Sequence, residues 1–250
     1  MANNSVQRLY DIIIGVRKFS DTNVSTANAF ASVLGIENLD NNYSLFYQRI
    51  SVVHSLISFS NREIQRIPGG DKSKYIEPID AISKAMSKLQ WETAVRHTSL
   101  GQIPPQTITA LEFAALRVTE LKLEKEISGE DIKKLLKGVN ELIQEVMELE
   151  DLPEDLKTFV LERLDSLRFA IEFYRYAGYS AIATATDALV FGVGRYQDHA
   201  SHRSINPPTE ASITLFQKVC IYASSVYTAI EITNNIVQLL ETISKKLIGQ

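Results

Sequence analysis

The chain contains one cysteine, Cys220, so it cannot carry an internal disulfide, and covalent cross-links do not substitute for a packed core. Cys220 stands between Val219 and Ile221, a setting that suits a small buried hydrophobe better than a reactive thiol. Motifs that would announce a chemistry are also missing. There is no HExxH and no CxxC pair, FGVGRYQ lacks the full G-x-G-x-x-G spacing, and PGGDKSK lacks the phosphate-loop pattern. Nucleophile-elbow and kinase signatures are absent as well. The start, MANNSVQRLYD, has neither the basic region nor the long apolar stretch of a secretory signal, which sets a cytoplasmic expectation.

Strong charge of one sign is likewise lacking. Thirty acidic against 26 basic groups give a formal charge of -4 and argue against a general attraction to nucleic acid. Arg62, Arg66, Lys72, Lys74, Lys84 and Lys88 could line a local positive face, but aromatic residues do not interleave with them. Charge is unevenly spread. Residues 1–100 hold 11 basic and 9 acidic side chains, 101–176 hold 10 and 16, and 177–250 hold 5 of each. The middle reads as solvated and the end as enclosed, in a core, an interface or lipid.

At 250 residues and 45% hydrophobic content the chain is long enough for a sizeable core. Helical periodicity dominates it, and no series of alternating strands appears. Leu9, Ile12, Ile13, Val16 and Phe19 mark a first helix, ANAFASVLG a short one closed near Gly35, and Leu45 to Ile67 a long one stopped by PGGD. A further helix is expected over IEPIDAISKAMSKLQWETAV, with Pro78 in an early turn and Trp91 off register. The heptad-spaced runs Ile132, Val139, Val146 and Leu135, Leu142, Leu149 give the clearest signal. A second arm follows through Val160, Leu164, Leu167, Ile171 and Tyr174, with Asp151 and Pro153 between the arms. The expected fold is all-α, a multi-helix bundle with antiparallel helical hairpins. GQIPPQT suggests a boundary between an amino-terminal helical region, residues 1–100, and a carboxyl-terminal helical bundle, residues 107–250, either separate or continuous, with Thr107 capping the next helix.

The 18 residues from Ala177 to Gly194 approach the length of about 20 needed to cross a bilayer. They are rich in Gly, Ser, Thr and Ala, and carry Asp187 near the middle, so burial among helices is the better explanation. Ala181, Ala185 and Ala188 would allow close helix approach.

Asp198, His199 and His202 form the densest set of metal-ligand types, and Asp187 lies about three turns before them. Together they are the candidates for a divalent-metal or acid–base site of a metal-dependent hydrolase. His54 suits a core or an interface, and His97 an exposed helix end. The favoured reading is a helical protein-interaction or regulatory module with a protein partner or a second copy of itself. Its partner-binding candidates are Tyr174, Tyr179, Phe191, Tyr196, Tyr222 and Tyr227, large rings gathered in and just before the low-charge third, where a tyrosine can bury its ring and keep a wet hydroxyl. A membrane-associated effector is the remaining alternative.

Overall fold

The computed structural model describes residues 4–121, 127–203 and 210–230, and the side chains of 196–203 lie outside that description. Among the described residues the fold is all-α. Its helices are α1 (Ser5–Arg17), α2 (Thr26–Val33), α3 (Tyr43–Gln65), α4 (Ser73–Met86), α5 (Pro105–Thr119), α6 (Gly129–Glu148), α7 (Glu154–Glu172), α8 (Tyr174–Ala177), α9 (Tyr179–Arg203) and α10 (Glu210–Ala229). They fall into two compact units, residues 1–126 with 175–177, and 127–174 with 178–250.

In the first unit α1 is the central element, packing on α2, α3 and α5. Val6, Leu9, Ile12, Ile13 and Val16 are fully buried, so each contributes on the order of 1.5–3 kcal/mol of hydrophobic stabilisation. Polar bonds to two other helices fix where α1 begins. The Asn4 side chain accepts from Gln7 N (2.8 Å) and donates to Thr119 Oγ1 (2.7 Å) on α5. Buried Glu63, on α3, accepts from Ser5 N (2.8 Å) and Ser5 Oγ (3.1 Å). Amide donors that an isolated helix would leave orphaned are thus satisfied inside the unit.

Two expectations need correction here. The run from Ile76 to Val95 is not one helix. It ends at Met86, and α4 starts early enough at Ser73 that Pro78 lies within it rather than in its first turn. Beyond Met86 the chain pairs with the start of α2. Ala27 N donates to Trp91 O and Thr26 N to Thr93 O, both at 2.9 Å, with an isolated antiparallel bridge between Ser25 and Ala94. The Trp91 ring meets Phe30 and Phe46 edge-on, with centroids 5.6 and 5.3 Å away. These long-range bonds supply what further helical turns would have given. The GQIPPQT break, expected as a boundary between regions either separate or continuous, lies within the first unit. It leads into α5, which packs on α1 and α4, and the division between units falls at 126/127. Pro105 opens α5, so Thr107 lies inside the helix and does not cap it.

Among the described residues of the second unit four helices form a ring, with α6 packed on α7 and α10, and α9 packed on α7 and α10. The heptad positions behave as their spacing requires. Leu135, Val139, Leu142 and Val146 of α6 meet Val160, Leu164, Leu167 and Ile171 of α7 in one core, which Ile182, Leu189 and Val193 of α9 and Leu215, Val219 and Val226 of α10 complete. Two glycines let the helices approach closely. A Cβ on Gly138 would lie 2.7 Å from the Tyr222 ring, and one on Gly192 would lie 2.3 Å from the Phe159 ring.

Among the described residues no helix is long and apolar enough to cross a membrane, α9 included. The continuation expected beyond Ala229, through Ile236, Leu240, Ile243 and Leu247, lies outside the described residues.

Candidate functional site

The tyrosines expected to face a partner are largely used within the second unit. Tyr222 donates its hydroxyl to Leu135 O (2.7 Å), joining α10 to α6, and Lys218 on the same helix pairs with Glu145 (2.8 Å). Since 222 meets 135 and 218 meets 145, α6 and α10 run in opposite directions. Tyr227 is buried and donates to Asp187, joining α10 to α9. The Tyr174 hydroxyl accepts from Ile127 N (2.9 Å). Tyr174, Tyr179 and Tyr222 also pack their rings against the core. Of the partner-binding candidates whose side chains are described, only Phe191 is a largely exposed residue, at 66%.

The same arrangement sets the electrostatics. Burial pushes the Tyr222 phenol above its ordinary value, and burial followed by the bond to Asp187 does so for Tyr227. Burial raises the Cys220 thiol to about 11, which fits a packing role rather than a thiolate nucleophile. The unfolded chain releases these protons near 9.0 for the thiol and 10.0 for the phenols, whereas the folded state retains them. Their contribution to stability is therefore complete below about pH 9 and is lost as pH rises through the folded-state values. Urea midpoints should fall steeply above about pH 9, and Tyr222→Phe with Tyr227→Phe should flatten that fall, while costing at neutral pH about 1 kcal/mol for Tyr222, which bonds a carbonyl, and about 1.5–3 kcal/mol for Tyr227, which bonds a carboxylate. An unchanged alkaline slope in the double variant would contradict the assignment.

Asp187, a candidate for metal or proton chemistry, thus accepts a hydroxyl in the α9–α10 seam. Asp198, His199, His202 and Tyr196 lie on α9 with side chains outside the described residues. No group of three or more metal-ligating side chains occurs among the described residues. His54 is exposed on α3, not in the core, and His97 is exposed beside Arg96, whose Nε donates to its ring (3.0 Å). The proposed basic face is partly occupied locally. The Arg62 guanidinium lies 4.5 Å over the Phe59 ring, and Lys72 Nζ donates to Gln65 O (2.5 Å).

A feature the periodicity analysis missed lies on α5. One side of this helix buries Ile108, Leu111, Ala114, Ala115 and Val118. The opposite side presents Phe113 at 62% exposure and Leu116 at 55%, one turn apart. They border a cleft of ≈ 510 Å³ completed by Lys74, Tyr75, Ala110, Arg117 and Glu120. Ala110 and Phe113 also line a second hollow of ≈ 390 Å³ toward Pro105, and Lys74, Tyr75 and Arg117 a third of ≈ 520 Å³ toward the Pro68–Asp71 turn. The three hollows share lining residues and lie beside α5, a helix about 22 Å long at 1.5 Å per residue. An apolar anchor pair with a polar rim is the composition of a recognition surface. The available sequence signal was a surplus. The helix carries more apolar residues than one buried stripe can hold.

No family model matches the chain, and neither a curated protein nor a solved structure matches it. The functional reading therefore rests on this geometry.

Proposed function

We propose that the chain is a helical protein-interaction module whose partner face is the outward side of α5. The observation that carries this reading is the exposed pair Phe113 and Leu116 above a groove lined by Tyr75 and Ala110. Covering a Phe and a Leu yields on the order of 1.5–3 kcal/mol each, enough to anchor a complex when the surrounding rim excludes water. The tyrosine-rich helices, first expected to supply the partner face, serve here to tie the second unit together.

A photo-cross-linking benzoylphenylalanine in place of exposed Thr109 tests this in cells. The expected result is a cross-linked product of discrete mass that disappears with Leu116→Glu. No discrete product, or one indifferent to Leu116→Glu, would refute the reading.

A further inference from the structure

We infer that the carboxyl-terminal segment of the chain, residues 231–250, folds back over the outward side of the α9–α10 pair. The inference goes beyond the α5 reading and is independent of it.

The first observation is how little charge this side carries. From Tyr179 to Gly194 the one charged residue of α9 is Asp187, which accepts from Tyr227. From Ala211 to Ala229 the one charged residue of α10 is Lys218, which pairs with Glu145 of α6. Exposed Arg195 and Glu210 mark the ends of the stretch. The outward sides of α6 and α7 differ, since Lys134, Lys137 and Arg168 each pair there with a carboxylate of their own helix. Charged residues of this kind are what a water-covered helix face carries. The α9–α10 side instead presents Phe191 at 66% exposure and Ile221 at 62%, each within two turns of the Asp187–Tyr227 bond.

The second observation is what the chain has left to cover it. Twenty residues follow Ile230, the last one described. Among them Ile236, Leu239, Leu240, Ile243 and Leu247 recur at helical intervals and share one arc of about 100° around a helix axis. Glu241 and Lys245 fall on the other side and Lys246 at the edge of that arc. Such a stripe needs an apolar surface to lie on. Asn234 and Asn235, directly before it, are turn formers at which the chain can reverse.

The third is reach. As a helix, Ile236 to Gln250 would span about 22 Å, and Ile221 stands about 12 Å before the end of α10 at Ala229. A stripe turned back at Asn234 and Asn235 therefore passes Ile221 and, on the neighbouring helix, Phe191. Tethering selects this segment over a second copy or a separate protein. A short linker holds it at an effective concentration of about millimolar beside the face, which a separate chain at micromolar concentration does not match.

Benzoylphenylalanine in place of Phe191, irradiated in the purified full chain at low micromolar concentration and mapped by mass spectrometry after digestion, tests the inference. A second chain carries the same group at Thr228, exposed on α10. From both positions the expected adduct joins residues 231–250 of the same chain and leaves the mass at that of one chain. Its yield is expected to fall about 10-fold when Leu240→Glu and Ile243→Glu are combined. Circular dichroism establishes that each variant folds. Adducts confined to residues outside 231–250, no adduct, a product of twice the chain mass, or a yield indifferent to the double variant would each overturn the inference. An adduct within one chain joins no second protein, so position 191 gives no product of higher mass in cells, while position 109 reports on the α5 face alone.

Discussion

Gly101→Ala should be the most damaging single-methyl change in the first unit, costing about 3–5 kcal/mol and lowering the thermal midpoint accordingly. A Cβ at this position would lie 2.1 Å from Val95 O, 2.9 Å from Val95 C and 3.1 Å from Arg96 Cα. All three are backbone atoms, so no side chain can rotate away. The carbonyl is itself fixed, since it accepts from Thr98 N (3.0 Å) and Thr98 Oγ1 (2.7 Å). Thr98 Oγ1 in turn accepts from Gly101 N at 3.3 Å, so the added methyl group and the hydrogen-bonded turn compete for one space. Urea unfolding followed by circular dichroism measures the loss. A variant within about 1 kcal/mol of wild type would mean that this turn is not packed as described.

Glu63→Ala is expected to have the next largest effect, about 3 kcal/mol, because hydrogen bonds to a buried charged group contribute about 1.5–3 kcal/mol each. The substitution removes the acceptor of both Ser5 N and Ser5 Oγ at a position where Glu63 and Ser5 are buried. It would therefore loosen α1, the element on which α2, α3 and α5 pack. Glu63→Gln keeps one acceptor oxygen and should recover part of the loss. Equilibrium unfolding of the two variants against wild type checks the ranking, and equal stability for Ala and wild type would contradict it.

Local pattern predicted the parts of the fold that local pattern determines. Leu135, Val139, Leu142 and Val146 are buried because seven-residue spacing puts them on one side of α6, and no knowledge of their partner was needed. Trp91 shows the opposite case. The apolar spacing of Ile79, Ile82, Met86 and Leu89 runs past the true end of α4, because bonds from Thr26 and Ala27 end the helix across some 65 residues of sequence. The tyrosines show a related limit of local pattern. Exposure and burial of a phenol look alike in sequence, and what decided them was an acceptor far along the chain, Leu135 O for Tyr222 and Asp187 for Tyr227. Phe113 and Leu116 were legible only as an excess, since a helix between Ile108 and Val118 needs one buried stripe and this one carries apolar residues on two sides.

Among the described residues the exposed large apolar side chains are Phe113 and Leu116 of α5, Phe191 of α9, and Tyr43, Tyr47, Met147 and Ile221, and Phe191 is the one among the partner-binding candidates read from the sequence. In-cell photo-cross-linking from both positions, with benzoylphenylalanine replacing Thr109 in one chain and Phe191 in another, compares them directly. A discrete product from position 109 and none from position 191 is the expected result. A product from position 191 alone would contradict the assignment of the partner face to α5.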